Sequence, residues 1–296
     1  MYGLFPTPVV QKVKIYRRHL SAAVRKNRVF CYFGIYHTLM LAALKSLFST
    51  SKSKPEPPAS RIGRLVYAIG DIHGRLDLFE RMIEQVRNDE MARAERPLIV
   101  LLGDYVDRGP DSAGVLSRIL RLQDETWCDV EVLLGNHEEA LLKFLYAAQH
   151  GPAWVDYGGG STLGSYGVAL PVSRTDPAQW EETRKAFAEA LPNDHLSLLK
   201  SMKYLLKVDD YVFVHAGVRP DQPLEEQGAE TFLWVRGAFM ASEKACDYVV
   251  VHGHTPEDEP ADKRWRIGID SGAYATGVLT AVRLRDVSRR IMQVRL

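Results

Sequence analysis

The stretch LVYAIGDIHG, residues 65–74, joins a short apolar run to two polar residues, Asp71 and His73, that lie between glycines. The same arrangement recurs in LLGD (101–104) and in LLGNHE (133–138). A segment with apolar residues at helical spacing follows each run, so strands and helices are predicted to alternate. Such alternation is typical of parallel strands joined by crossover helices, whose carboxyl ends meet at one sheet edge. The polar residues are therefore expected to converge at that edge.

The predicted elements of this first half are well separated. Strands are expected at 65–69, 97–102 and 130–134, and helices at 77–94, 111–122 and 139–148. The second half changes rhythm. Residues 151–207 are predicted to be mostly helical, with a glycine-rich loop from Tyr157 to Thr162. Further strands are expected at 211–214, 248–251, 266–269 and 278–284, the last two forming an antiparallel ribbon.

Bulk composition is that of an ordinary globular protein. The chain has 296 residues and 46% hydrophobic content, which allows one large domain or two small ones. Its net charge of +1 argues against a nucleic-acid partner. The three cysteines, Cys31, Cys128 and Cys246, are widely spaced, so no disulfide framework is implied. A reducing, cytoplasmic location is the expectation.

Residues 1–60 differ from the rest and are expected to be an extension with a flexible linker, followed by a catalytic domain over 61–296. Seven basic residues and no acid lie within 12–28, and an apolar run of 16 residues follows at 29–44. That run is shorter than the roughly 20 residues of a membrane-spanning helix. Two other interpretations remain open. Residues 12–48 could make weak contact with a membrane surface, or the true start is Met40.

The strand-end residues carry metal-ligand chemistry. Carboxylates, an amide and imidazoles follow apolar strands at Asp71, Asp104, Asn136, His215 and His254. Each has a structural alternative, since Asn136 could cap a helix and a lone histidine is usually a core residue. Five polar strand ends with flanking glycines are far less expected by chance. Together they predict a site for divalent cations with nitrogen and oxygen ligands.

Five motifs in this order resemble the phosphoprotein phosphatase family of the calcineurin-like metallophosphoesterases, and its bacterial members most closely. The motifs are GDIHG (70–74), GDYVDRG (103–109), GNHE (135–138), HAG (215–217) and HGHT (252–255). The resemblance implies an α/β fold, a four-layer α/β/β/α sandwich of two mixed sheets with a dinuclear metal site at the strand ends. It implies two divalent metal ions, with Mn²⁺ or Fe²⁺ favoured and Zn²⁺ also compatible.

The resemblance also implies roles for individual residues. The first metal would be held by Asp71, His73 and Asp104, and the second by Asp104, Asn136, His215 and His254. Arg108 and Arg236 would clamp the substrate phosphate. His137, paired with Asp107, would be the general acid, and a metal-bridging hydroxide would be the nucleophile. His252 and Asp270 would support the ligands without binding metal.

The run after His254 distinguishes branches of the superfamily. Many members that cleave diesters carry Gly-His-x-His, whereas Pro256 stands at the last position here. This difference favours a serine/threonine or dual-specificity protein phosphatase acting on a phosphoprotein or a small phosphoester. Two alternatives stay open: a symmetrical bis(5'-nucleosyl)-tetraphosphatase, which shares nearly all these motifs, and a non-catalytic binding scaffold.

Overall fold

Two mixed five-stranded sheets form the centre of the fold in the computed structural model, which describes residues 60–243 and 245–296. The first sheet has the strand order β10-β9-β1-β2-β3 and the second has β4-β5-β6-β8-β7. The predicted pair of mixed sheets is therefore confirmed. The strands are β1 (Ile62–Ile69), β2 (Leu98–Leu101), β3 (Asp129–Val132), β4 (Leu205–Val208), β5 (Tyr211–Val214), β6 (Val249–His252), β7 (Ala261–Asp262), β8 (Arg266–Gly268), β9 (Val278–Asp286) and β10 (Ser288–Arg295).

Helices connect these strands in the described part of the chain. The longer ones supply apolar faces that cover the first sheet. The helices are α1 (Leu76–Asn88), α2 (Glu90–Ala94), α3 (Ser112–Asp124), α4 (Asn136–Tyr146), α5 (Gly151–Asp156), α6 (Gly159–Ser165), α7 (Pro177–Ala190), α8 (Asn193–Ser201), α9 (Ala229–Trp234), α10 (Gly237–Met240) and α11 (Ala273–Thr276).

Three apolar clusters separate four layers. Successive side chains of a strand point to opposite faces, so Tyr67 of β1 packs with the helices of the first sheet while Val66 faces the second sheet. Phe213 and Val251 meet Val66 from the second sheet. A third cluster, which includes Phe239 of α10, covers the outer face of that sheet. The helices and sheets thus stack as helix, sheet, sheet and helix.

Strand register explains why the polar residues meet. The ends of β1, β2 and β3 are level, because Ile69 pairs with Leu101 and Leu101 pairs with Val132 in parallel ladders. In the second sheet, β5 and β6 are also parallel, with Phe213 opposite Val251. The predicted convergence of the ends of β1, β2 and β3 is confirmed.

Several predicted elements differ from the structure. The helix expected over 77–94 is interrupted at Asp89, whose extended backbone ends α1 and whose carboxylate accepts the Met91 N–H to cap α2. The antiparallel ribbon of 266–269 with 278–284 is wrong, since these strands belong to different sheets. Strand β9 instead pairs with β1 and with β10. Strand β10 is not among the predicted strands, because its polar, arginine-rich sequence lacks the apolar pattern used to predict strands.

The glycine-rich segment after Tyr157 is also not a loop. Gly158, at φ +108°, ends α5 and starts α6, so most of the segment is helical. The proposals made for residues 1–60 fall outside the described residues, except at Ser60. Among the residues described, none of the helices has the length and apolar character needed to cross a membrane.

Candidate metal centre

Asp104 lies at the middle of the converging strand ends. Its Oδ2 is 3.5 Å from Nε2 of His73 and 3.9 Å from Nε2 of His137, whereas its Oδ1 is 3.3 Å from Nε2 of His215. Asp104 thus belongs to two groups of metal-ligating side chains, one with His73 and His137 and one with His215 and His254. All of these side chains are buried. A carboxylate placed between two ligand groups is suited to a two-metal site.

Backbone carbonyls fix the tautomers of two of the histidines. Nδ1–H of His73 donates to the carbonyl of Val106 at 2.8 Å, and Nδ1–H of His215 donates to the carbonyl of Leu102 at 2.9 Å. A neutral ring that donates from Nδ1 carries its lone pair on Nε2. In both residues, Nε2 is the atom that faces Asp104. Both imidazoles are therefore oriented as metal ligands usually are.

The atoms that meet here fit divalent cations. Oδ1 of Asn136 is 2.9 Å from Nε2 of His215 and 2.8 Å from Nδ1 of His254, so this oxygen faces the lone pair on Nε2 of His215. Burial, and then the nearby carboxylates of Asp270 and Asp104, raises the pKa of Asp71. Three buried carboxylates with facing acceptors are stabilised when positive charge lies among them. The donor set of carboxylate, amide and imidazole suits the divalent cations expected from the sequence.

Asp71 links the two sheets rather than joining either group of ligand atoms. Both of its carboxylate oxygens lie 3.1 Å from the backbone N–H of His254. Gly253 makes this contact possible, because a Cβ at that position would lie 1.9 Å from Oδ1 of Asp71. The glycine before His254 therefore lets the second sheet approach the first.

Gly253→Ala tests this close approach. We expect the added methyl group to push Asp71 and His254 apart and to weaken metal affinity by at least the roughly 10–100-fold typical of a lost supporting contact. Metal affinity is measured by titration of the metal-free protein. Gly164→Ala is the matched control, since nothing lies within 4 Å of its added Cβ. Equal metal affinity in the two variants would contradict the steric role of Gly253.

The site residues hold a backbone conformation that is unfavourable for side chains other than glycine. Positive φ angles occur at His73 (46°), Asp104 (55°), Asp107 (71°), Arg108 (69°) and His254 (67°). Each such residue costs on the order of 1–3 kcal/mol and persists only where surrounding contacts enforce it. The loops after β1, β2 and β6 must therefore be held in place by other interactions.

Glu138 supplies much of that support. Its Oε2 accepts the backbone N–H groups of Asp104 (2.9 Å) and Gly135 (3.0 Å), and its Oε1 accepts those of Tyr105 (2.7 Å) and Val106 (3.1 Å). The side chain is fully buried. One carboxylate thus joins the loop after β2 to the start of α4. Glu138 has no role among the sequence-based predictions, although its place within the GNHE motif is a visible signal.

Glu138→Gln tests how much these hydrogen bonds stabilise the folded protein. The amide cannot accept on its nitrogen side, so two buried N–H groups lose their acceptor. We expect the free energy of unfolding to fall by about 1–3 kcal/mol. Urea denaturation of the metal-free protein measures it, with Glu84→Gln on the exposed face of α1 as the control. A change no larger than that of the control would show that Glu138 does not support the loop.

His137 and Asp107 form the buried pair that the family resemblance implies. Nδ1 of His137 is 2.7 Å from Oδ2 of Asp107, whose carboxylate also accepts from Trp154 Nε1 (2.9 Å) and Thr162 Oγ1 (2.6 Å). Burial opposes a charged ring, but Asp104 and Asp107 outweigh it and raise the pKa of His137. Trp154 and Thr162 were not anticipated, because they come from helices α5 and α6 and carry no strand-end pattern.

The two arginines proposed for phosphate binding lie at the edge of the centre. Nη1 of Arg108 is 2.8 Å from Nε2 of His73, and its guanidinium lies 4.8 Å from the ring centre of Tyr274. Arg236 is exposed, and its charge contributes, after burial and His215, to the lowered pKa of His254. The arginines are thus associated with different histidines of the centre.

Asp270 and His252, the two residues predicted to support the metal ligands, lie in different surroundings in the structure. Asp270 is buried and, through its charge, raises the pKa of Asp71. His252 points elsewhere, because its Nε2 is 3.0 Å from Nη1 of Arg266, which also pairs with Glu257 at 3.2 Å. The structure therefore places Asp270 beside the ligands and His252 in a separate buried ion-pair network.

Comparison with known proteins identifies relatives of this chain. It is 27% identical over 239 residues to an asymmetrical bis(5'-nucleosyl)-tetraphosphatase of Oceanobacillus iheyensis, covering 74% of this chain and 88% of that one. It is 33% identical over 161 residues to a symmetrical bis(5'-nucleosyl)-tetraphosphatase of an Acidovorax species, and the similarity covers 54% of this chain and 47% of that one. It is 35% identical over 96 residues to serine/threonine-protein phosphatase 1 of Salmonella typhimurium, and the similarity covers 32% of this chain and 39% of that one.

The sequence profile of the calcineurin-like phosphoesterases matches residues 65–277. That span contains all five motifs and every residue of the candidate centre. The match to this family also agrees with the two mixed sheets and with the clustered metal-ligating side chains. The chain therefore belongs to the calcineurin-like phosphoesterases and is a metal-binding hydrolase.

Proposed function

We propose that this protein hydrolyses bis(5'-nucleosyl) tetraphosphates, in preference to the protein phosphatase activity expected from the sequence. The observation that carries the proposal is the similarity over 88% of the length of the Oceanobacillus tetraphosphatase, whereas the similarity to the Salmonella phosphatase spans 39% of that protein. The alternative of a non-catalytic scaffold is disfavoured by the intact set of ligating side chains.

The placement of the two arginines is in keeping with a polyphosphate. Arg108 contacts His73, and the charge of Arg236, after burial and His215, helps to lower the pKa of His254, so positive charge is available near both groups of ligands. A chain of four phosphates carries several negative charges along its length and can use both guanidinium groups. A phosphomonoester presents one phosphoryl group and needs fewer such contacts.

The proposed roles are those implied by the family resemblance, and the buried ligating side chains that meet at Asp104 support them. Asp71, His73 and Asp104 would hold one divalent metal, and Asp104, Asn136, His215 and His254 the other. Bound metals of this kind act as Lewis acids and activate water. Arg108 would orient the phosphoryl group through its planar fork. His137 would give the proton on Nε2 to the departing oxygen, while Asp107 holds Nδ1 and keeps the ring in position.

A second candidate is hydrolysis of phosphoserine or phosphothreonine, and the His137–Asp107 pair favours it. An alkoxide leaving group is strongly basic and requires a proton, whereas a nucleotide phosphate leaves more readily. The buried pair, 2.7 Å apart, is built to supply that proton. A site with this pair can therefore act on monoesters as well as on anhydrides.

A substrate panel separates the candidates. Diadenosine tetraphosphate, a phosphoserine peptide and p-nitrophenyl phosphate are assayed side by side with Mn²⁺, Fe²⁺, Zn²⁺ and Mg²⁺. We expect the highest kcat/KM with the dinucleotide. Product analysis then gives the position of cleavage, since symmetrical cleavage yields two molecules of ADP and asymmetrical cleavage yields AMP and ATP.

Two outcomes would overturn the proposal. A preference for the phosphoserine peptide by orders of magnitude would make the protein phosphatase the function. If the metal-loaded protein turned over none of these compounds, the proposed activity would be wrong and a non-catalytic binding scaffold would be favoured.

A further inference from the structure

Two aromatic side chains form a wall beside the metal centre. The ring centres of Tyr157 and Trp234 are 6.2 Å apart, with 58° between the ring planes. Tyr157 is 6.3 Å from the ring of His137, and Trp234 is 6.4 Å from the ring of His254. Tyr157 is 47% exposed. This Tyr157–Trp234 wall thus borders both the proposed proton donor and a proposed metal ligand, and it is open to a ligand.

Polar and apolar contacts hold Trp234 in place within the wall. Nε1–H of Trp234 donates to Oε2 of Glu139 at 3.0 Å, and Lys143 pairs with the same carboxylate at 2.9 Å. The Trp234 ring also packs against the large apolar cluster of the first sheet. An indole fixed at its polar edge and packed on one side loses little conformational entropy when a ligand stacks on it.

Tyr157 is tied to the proposed phosphate clamp through its neighbour. The carbonyl of Gly158 accepts the backbone N–H of Arg108 at 3.2 Å. A Cβ on Gly158 would lie 2.7 Å from Cγ of Arg108, so the two segments are in close contact. The tyrosine ring is therefore one residue away from a segment that touches Arg108. The segment that carries Tyr157 thus adjoins the segment that carries the proposed phosphate clamp.

We propose that the Tyr157–Trp234 wall is a stacking platform for one nucleobase of the substrate. Every base has a flat π-face that stacks on aromatic side chains, and such stacking is tolerant of base identity. The inference rests on the proposed function, whose substrates join a base to phosphate through a ribose. It adds that part of the selectivity for nucleotides comes from these rings.

Tyr274 is already engaged by the centre. One face of its ring is covered by the Arg108 guanidinium, 4.8 Å from the ring centre, and it lies 5.4 Å from the ring of His73. A ring stacked on an arginine holds that arginine in place. We therefore assign Tyr274 to positioning Arg108, and base stacking to the Tyr157–Trp234 wall.

The test compares two ligands that share a diphosphate group, with only one carrying a base. Isothermal titration calorimetry measures the Kd of ADP and of inorganic pyrophosphate for the Mn²⁺-loaded protein. In Tyr157→Ala we expect the Kd of ADP to rise about 5- to 150-fold, the effect of losing one stacked base. The Kd of pyrophosphate should not change. Tyr157→Phe keeps the ring and should bind ADP like the wild type.

The control variant is Tyr146→Ala, since Tyr146 is 89% exposed and has no described ring contact with the centre. If Tyr157→Ala weakened ADP and pyrophosphate equally, the residue would act on Arg108 and the stacking proposal would be wrong. Weakened binding of a phosphoserine peptide with unchanged ADP binding would assign the wall to peptides instead. If the wild type failed to cleave diadenosine tetraphosphate but the ADP result held, the proposed function would fail and the platform would stand.

Discussion

Asp104→Asn is expected to release both metals and to abolish turnover, because we propose that this carboxylate is shared by the two metal sites. Asparagine offers one oxygen in place of two and carries no charge. Its Oδ1 cannot face His73 and His215 together, as the carboxylate oxygens do at 3.5 and 3.3 Å. The loss should exceed the roughly 10–100-fold that follows removal of a supporting residue.

Metal content and activity of Asp104→Asn are measured on the same sample. Asparagine tolerates the positive φ of 55° at this position, so the backbone can keep its course. Circular dichroism checks the fold. Asp111→Asn is the matched control, since Asp111 caps α3 through its side chain and asparagine caps equally well. A variant that stays loaded with metal and active would contradict the shared role of Asp104.

His137→Asn is expected to reduce turnover by roughly 10²–10⁴ while metal stays bound. His137 has Nδ1 engaged by Asp107 at 2.7 Å, and its Nε2 is 3.9 Å from Oδ2 of Asp104. That position would serve a proton donor, but it also falls within a group of side chains that could hold a metal. Elemental analysis of the purified variant separates the two roles. Loss of metal would make His137 a ligand, and unchanged turnover would remove it from the mechanism.

The leaving group gives a second check on the same variant. A general acid matters most when the departing oxygen is strongly basic. The loss caused by His137→Asn should therefore be larger with a phosphoserine peptide than with p-nitrophenyl phosphate, whose phenolate leaves easily. His150→Asn, on the short turn before α5, serves as the control. An equal loss with both substrates would argue that His137 does not protonate the leaving group.

Much of the centre is predictable from the sequence, because polar residues follow directly on apolar strands. Asp104 and His215 stand directly after fully buried apolar runs, where a polar residue has no packing reason to be. Parallel strands then bring such residues to a common edge whatever the loops between them do. This local pattern predicts that Asp104 lies beside Asp71 and Asn136, but not that His215 and His254, which follow strands of the other sheet, meet them. Two mixed sheets, by contrast, were expected from the family resemblance rather than from the pattern alone.

The supporting residues could not be predicted in the same way. Trp154 and Thr162 reach Asp107 from helices 47 and 55 residues farther along the chain. Their contacts depend on how α5 and α6 pack, which no short-range spacing encodes. Strand β10 was missed for a related reason, since it is stabilised by its ladder with β9 and has little apolar periodicity of its own. Tertiary contacts decide these features.

Anomalous diffraction from crystals grown with Mn²⁺ tests the central claim most directly. We predict two anomalous peaks per chain, with the Asp104 carboxylate between them. One peak should adjoin His73, and the other should adjoin Asn136, His215 and His254. A single peak, or two peaks that do not share Asp104, would contradict the dinuclear centre proposed here.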